Sequence, residues 1–460
     1  MNKEILGTEP IGKLLFKLSI PTVIAQLINM LYNIVDRIFI GHIPNNGSLA
    51  LTGVGVCLPL IMLVSAFAAL IASGGAPRAS IFMGKNDMEK AEKTLGGCFT
   101  AQIIISIILT TILLIWNKDL LLVFGASENT IDYAVQYMNI YAIGTIFVQL
   151  TLGMNAFITA QGFSKFSMYA VLVGAILNIC LDPLFIYVAG MGVRGAALAT
   201  IVSQAVSSIF VVAFLCSKKT LLKIKVKNLF VSPKIVLPCI ALGLSAFIMQ
   251  ASESVIFVCF NSSLLKYGGD IAVGAMTILS SIMQFAMLPL QGLAQGAQPI
   301  ESYNFGAGNA DRVKKTFKLL LISSVAYSTL LWIFVMALPE AFAKMFTSNP
   351  ELIKFTAVAS RIYFGAMFMF GAQIACQMTF VSLGNAPSSI IVAIVRKFVL
   401  LLPLIYLLPI GASDPTMMIY TAESIADAIA VTFTLILFSF QFRKAMKSIE
   451  KPINTTKNLQ

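Results

Sequence analysis

The chain has 460 residues, 58% of them apolar and 11% charged, with a mean hydropathy of +0.88. That balance excludes a soluble domain with a charged surface and describes a chain that lies mostly in hydrocarbon. The formal charge of +12 is scattered through short polar gaps and forms no single basic patch, so the lipid bilayer is an expected partner and nucleic acid is not.

At the amino terminus, residues 1–17 carry two acids and no clear cleavage site and run into a spanning-length stretch, so a cleaved signal peptide is not expected. Stretches long enough to cross a bilayer follow at 14–39, 49–73, 95–116, 131–160, 166–188 and 195–216. After the basic gap 218–234 come 235–262, 271–299, 316–338, 355–383, 389–410 and 417–441. The predicted fold is an all-α membrane protein of twelve transmembrane helices in two pseudo-symmetric six-helix lobes with a central cleft. Its expected divisions are an N-lobe at 1–217, a cytoplasmic linker at 218–234, a C-lobe at 235–445 and a cytoplasmic tail at 446–460.

With both termini inside, the cytoplasmic segments collect 23 Lys and Arg residues, among them Lys3, Lys13, Lys17, Lys218, Lys219, Lys451 and Lys457. The other side receives Lys118, Arg194, Lys266, Lys344 and Lys354. This asymmetry predicts a multi-pass protein of the plasma (inner) membrane with cytoplasmic termini. A shift of 222 residues sets Asn86 on Gly308, Thr94 on Thr316, Ile140-Tyr141 on Ile362-Tyr363 and Gly162 on Gly384. One register thus holds over about eighty residues of each half, the mark of a parallel repeat.

Ionisable groups deep in a bilayer are costly and point to function. In the first helix Gln26, Asn29, Asn33 and Asp36 recur at steps of three and four, which puts them on one face with Tyr32 beside them. In the fifth, Asn178 and Asp182 share a face, and Pro183 removes a backbone donor. Thr200, Ser203 and Gln204 give the sixth helix a polar face. Together these oxygens are suited to Na⁺ or to a shared proton, and the residues alone do not choose between the two.

Glu253 is the one acid of the seventh span, with Gln250 and Asn261 near it, and is a candidate to attract a cation or take a proton. Glu423 and Asp427 are expected to pair with Arg396 and Lys397. His42, the only histidine, reads as a loop residue, and the seven cysteines (Cys57, Cys98, Cys180, Cys216, Cys239, Cys259, Cys376) read as small packing residues without close pairs. With no Ser-His or Glu-His arrangement and no phosphate-cradling loop, neither an enzyme nor a cofactor is expected, and energy must come from an ion gradient.

The run Ser19-Ile20-Pro21-Thr22 through Asp36-Arg37-Ile38-Phe39-Ile40-Gly41, followed by Ala50-Leu51-Thr52-Gly53, resembles the opening of the multidrug and toxic compound extrusion (MATE) family. In the second half Gln295-Gly296-Ala297-Gln298-Pro299 and Asn304-Phe305-Gly306-Ala307-Gly308 are similar in the same way. The resemblance implies a drug-efflux antiporter that exports lipophilic organic cations in exchange for H⁺ or Na⁺, acting as a monomer. It maps the family's first-lobe cation site onto Asp36, Asn178, Asp182 and Thr200, which would be the metal ligands if Na⁺ is the coupling ion. Substrate contacts map onto Asn29, Tyr32 and Asn155. Another branch of the family uses an acid in the seventh helix and one in the tenth. Glu253 matches the first, but 355–383 holds no Asp or Glu, so Glu253 is assigned to the substrate instead. A flippase for a lipid-linked saccharide is the alternative. Its headgroup would need cations in the cleft, for which Arg37, Arg78, Arg396 and Lys397 are the candidates.

Overall fold

A computed structural model describes residues 5–44, 46–229 and 232–450. Lys3, Lys451 and Lys457 and the tail beyond Glu450 lie outside the described residues. Helices account for the described fold, in chain order α1 (Ile5–Thr8), α2 (Ile11–Gly41), α3 (Gly47–Gly84), α4 (Met88–Ile115), α5 (Asn117–Val123), α6 (Ile131–Ile143), α7 (Thr145–Ala160), α8 (Ser164–Pro183) and α9 (Val193–Cys216). The second half continues with α10 (Pro233–Gly306), α11 (Ala310–Ala337), α12 (Pro339–Lys344), α13 (Pro350–Tyr363), α14 (Phe370–Ser382), α15 (Ala386–Ile394), α16 (Leu402–Leu407) and α17 (Pro415–Glu450).

Among the described residues nine helices are long and apolar enough to cross a membrane, and two bent pairs add a span each. The long α10 is two spans joined at Gly269, whose φ of 65° interrupts the helix. Counting it twice gives the twelve expected spans. The stretches 131–160 and 355–383 are each broken: α6 and α7 meet at 56°, and α13 and the segment from Met367 meet at 49°.

The repeat runs much further than the eighty residues read from identities. Helices α2 and α10 begin 222 residues apart, as do α3 and the break at Gly269, α5 and α12, α8 and α15, and α9 and α17. Both ends of α4 and α11 obey the same offset. The backbone agrees: Asn86 (φ 58°) answers Gly308 (φ 75°), and Gly162 (φ 86°) answers Gly384 (φ 74°), all in the left-handed region that closes helix ends. Thr94 and Thr316, both fully buried, each donate a 2.8 Å hydrogen bond to the carbonyl four residues back.

Two compact units result. One comprises Leu18–Ala79 and Glu89–Val255, and the other comprises the described residues within Met1–Lys17, Ser80–Met88 and Ile256–Gln460. These divisions do not fall at the basic gap, and glycine contacts explain why. In the first unit a Cβ at Gly74 would sit 1.8 Å from the Cys239 carbonyl oxygen, and one at Gly243 would sit 1.7 Å from that of Leu70. The opening turns of α10 therefore pack backbone to backbone against α3. In the other unit the end of α3 meets the end of α10 likewise, with Gly84 against Tyr303 and Gly306 against Ile81.

The first unit's apolar core gathers Ile40, Val54, Leu60, Tyr137, Met138 and Ile201. The other unit's core is built on Phe260, Leu279, Phe364 and Tyr420. In that unit Arg312 fastens the chain's start, its Nη2 donating to the carbonyls of Leu6 (3.1 Å) and Glu9 (2.8 Å) and its Nε to Asn304 Oδ1 (3.0 Å). The fold also brings Cys98 of α4 against Cys239 of α10, although the two are far apart in sequence.

Candidate functional site

The apolar shell of the first unit is broken at one place by carboxyls. Asp36, five residues from the end of α2, is 8% exposed, and Asp182, at the end of α8, is 0% exposed. Their side chains come within hydrogen-bonding reach of each other. Asn178 Nδ2 donates to Asp182 Oδ1 at 3.2 Å, as the spacing of four on α8 requires. Oδ1 of Asp36, Oδ2 of Asp182 and Oδ1 of Asn178 are buried without a donor.

Local backbone chemistry presents this cluster. Pro183 cannot donate within the helix, and directly after it the chain widens into a π-helical turn at Leu184–Val188. From that turn Tyr187 donates to the Phe39 carbonyl of α2 at 2.7 Å, and its ring packs edge-on against Phe39 at 6.3 Å. The helix ends bearing the two acids are thereby tied together. Thr200 of α9 donates to the Ala196 carbonyl at 3.1 Å, and the buried Tyr137 of α6 lies beside it. Tyr32 is half-buried beside Asp36, with the side chains of Asn33 and Gln204 close to it.

Asp36, Asn178, Asp182, Thr200 and Tyr32 are thus brought into one neighbourhood. Asn155 lies one turn from Thr151, whose hydroxyl donates to the Gln204 carbonyl (3.2 Å), and its own amide donates to the Ser167 carbonyl (3.3 Å). Asn29 is half-buried further down α2. One residue of the α2 stripe stands apart from expectation. Asn33 is exposed, at the edge of its stripe, and its amide folds back onto the Asn29 carbonyl at 2.6 Å. Glu253 is exposed on α10. Arg37, next to Asp36, is exposed, while the Asp36 side chain turns to Asp182.

Two carboxylates side by side in a medium of low dielectric repel strongly, and a proton or a monovalent cation between them removes the repulsion. Three donor-free oxygens, from Asp36, Asp182 and Asn178, suit either occupant.

In the other unit Arg396 Nε donates to Asp427 Oδ1 at 2.7 Å, and its Nη2 lies 3.8 Å from Glu423, all three side chains being buried. This is the structural ion pair expected from sequence, further covered by the Phe370 ring 5.2 Å from the guanidinium. His42 is exposed at the end of α2, its Nδ1 bonded to the Ile38 carbonyl at 2.7 Å. Sequence reasoning missed Tyr137, Tyr187 and Glu301. The last, on α10, is 0% exposed and accepts a hydrogen bond from Thr379. The signal available for Tyr137 was its spacing of four from Tyr141, which stacks on it at 6.2 Å.

Residues 21–184 and 245–407 match the family described as MatE. The multidrug export protein MepA of Staphylococcus haemolyticus is 25% identical over 398 residues, which is 86% of this chain and 87% of that protein. MepA of Staphylococcus aureus (strain MSSA476) is 22% identical over 93% of this chain and 94% of its own length. A crystal structure of a MATE protein in a bent conformation superposes with a TM-score of 0.91 at 22% identity, covering 98% of this chain and all of the other.

Proposed function

This chain belongs to the MatE family, and on that premise we propose that it is a multidrug efflux antiporter of the bacterial plasma membrane, exporting lipophilic organic cations in exchange for H⁺ or Na⁺. The observation that carries the reading is the meeting of Asp36 and Asp182, buried and with donor-free oxygens, at the junction of α2 and α8. Occupancy by the cation removes the repulsion between the acids and favours one arrangement of α2. An exported compound that binds the other arrangement is released by it, because coupling requires only that the two ligands prefer different states.

Asn29, Tyr32 and Asn155 contribute amide and aromatic contacts for the compound, and Glu253 attracts its positive charge. Asn178 orients Asp182, and Thr200 completes the shell. The termini are cytoplasmic, following the distribution of basic residues, and the working unit is a monomer. A lipid-linked saccharide finds less support, since Arg396 is committed to Asp427 and Glu423 and is not available to a pyrophosphate.

The test is uptake of a fluorescent organic cation into inside-out vesicles under an imposed H⁺ or Na⁺ gradient. Asp36→Asn and Asp182→Asn are each expected to abolish gradient-driven uptake while leaving the protein in the membrane. Loss of a charge-assisted interaction worth about 2–3 kcal/mol corresponds to on the order of a hundredfold in rate. Uptake by both variants at the wild-type rate would sink the proposal.

A further inference from the structure

Glu301 lies within two turns of the end of α10 at Gly306, and Thr379, Ser382 and Ser302 near it are all 0% exposed. Thr379 Oγ1 donates to Oε1 at 3.1 Å, and the Ser382 side chain lies beside the same carboxyl. Ser302 Oγ donates to the Ser382 carbonyl at 2.8 Å and closes the end of α14 onto α10. Oε2 is buried and has no hydrogen-bond partner among the described residues. The titratable group beside it is the Cys376 thiol of α14, and its hydroxyl neighbours Thr379 and Ser382 are uncharged.

The fold does not need this acid. At the offset of 222 residues its counterpart is Ala79, which is also 0% exposed, so the same helix crossing closes over a methyl group. Nor is the charge compensated as Glu423 and Asp427 are by Arg396. An ionised carboxylate here would leave one oxygen dry and undonated, at a cost of several kcal/mol, whereas the protonated acid keeps the Thr379 hydrogen bond and carries no charge. A metal ion is a poor fit, because the pocket offers one carboxyl and hydroxyls already engaged as donors to Glu301 or to the Met378 carbonyl.

We infer that Glu301 is a second proton-binding carboxyl of this transporter, in the unit that lacks Asp36 and Asp182. It takes one proton from water to give the neutral acid when enclosed by Thr379 and Ser382, and returns that proton to water when the enclosure opens. The inference rests on Glu301 and its neighbours and does not depend on which compound is exported. It also accounts for how α14, which has no acid of its own, comes to line a protonatable site: the carboxyl is supplied by α10.

The experiment is infrared difference spectroscopy of the purified full-length protein in lipid nanodiscs, stepped between acidic and alkaline pH without Na⁺, with proton uptake counted on the same samples. A band from a protonated carboxyl is expected in the wild type. It should persist in the Asp36→Asn, Asp182→Asn double variant and vanish when Glu301→Gln is added to that variant, with proton uptake falling by a single proton. Glu301→Ala, which restores the residue of the other half, is expected to give the same loss and to guard against misfolding of the glutamine variant. A wild-type spectrum retained by both Glu301 variants would overturn the inference, and so would displacement of the band by Na⁺ at constant pH. Failure of the antiport proposal would instead appear as normal transport by the Asp36 and Asp182 variants.

Discussion

The two halves share a skeleton and differ in where they carry charge. At the 222-residue offset Asp36 answers Val258, Asn178 answers Leu400, Asp182 answers Leu404 and Thr200 answers Ala422. In the opposite sense Glu423 answers Ile201, Asp427 answers Ala205, Arg396 answers Gly174 and Glu301 answers Ala79. Every one of these polar groups has an apolar or glycine counterpart at the equivalent position of the other half. The skeleton is therefore specified by helix ends, glycine crossings and left-handed caps, and the ionisable chemistry is added to it half by half.

The comparison is broken most severely at Arg396. Arg396→Met strands Glu423 and Asp427 without their guanidinium, and destabilisation by about 3–5 kcal/mol is expected as a fall in melting temperature in detergent. Adding Glu423→Gln and Asp427→Asn, which move the half towards the neutrality of its counterpart, should recover most of the loss. No recovery would mean that the ion pair has a role beyond neutralising charge.

A smaller and symmetric effect is expected at the caps. Gly162→Ala and Gly384→Ala each force a side chain into positive φ and should cost about 1–2 kcal/mol, equally in the two halves. Unequal losses would show that the repeat is less faithful than its boundaries suggest. Tyr137→Phe removes the hydroxyl beside Thr200 and should cost no more than about 0.6 kcal/mol in stability while altering the ion dependence of transport. The smallest change sharpens the comparison best. Gly308→Asn installs the residue that the first half already uses at this position, Asn86, and should shift stability by only a few tenths of a kcal/mol. A penalty like that of Ala would count against equivalence of the two turns.

Most of the architecture was legible because hydrocarbon imposes length and composition on each span, and because Gly162 and Gly384 had to punctuate both halves alike. The breaks after Ile143 and Tyr363 were not legible: apolar residues continue through both, and only backbone geometry distinguishes a bent span from a straight one. In the site, Asp36, Asn178 and Asp182 stood out because lipid does not tolerate polar side chains recurring at helical spacing, so such a stripe in an apolar run has to face protein. The pairing of Arg396 with Asp427 and Glu423 was foreseen on the same logic of charge neutralisation in a dry medium.

Glu301 escaped notice because it lies between Gln298-Pro299 and Asn304 near a helix end, where polar residues ordinarily face water. Tyr137 escaped because an aromatic side chain in a membrane helix usually packs without further purpose. The contact of Cys98 with Cys239 was beyond the reach of spacing arguments, since it depends on how α4 and α10 cross.

Helix α2 does not belong to one unit. Its first turns, up to Lys17, are grouped with the body in which Arg312 holds the carbonyls of Leu6 and Glu9, while Leu18 onward, including Asp36, is grouped with the other. Pro21 lacks the amide hydrogen that would have bonded the Lys17 carbonyl, so the rod is missing a rung at the join. A helix bends at least cost where a backbone hydrogen bond is already missing, so Pro21 marks the place along α2 that resists bending least.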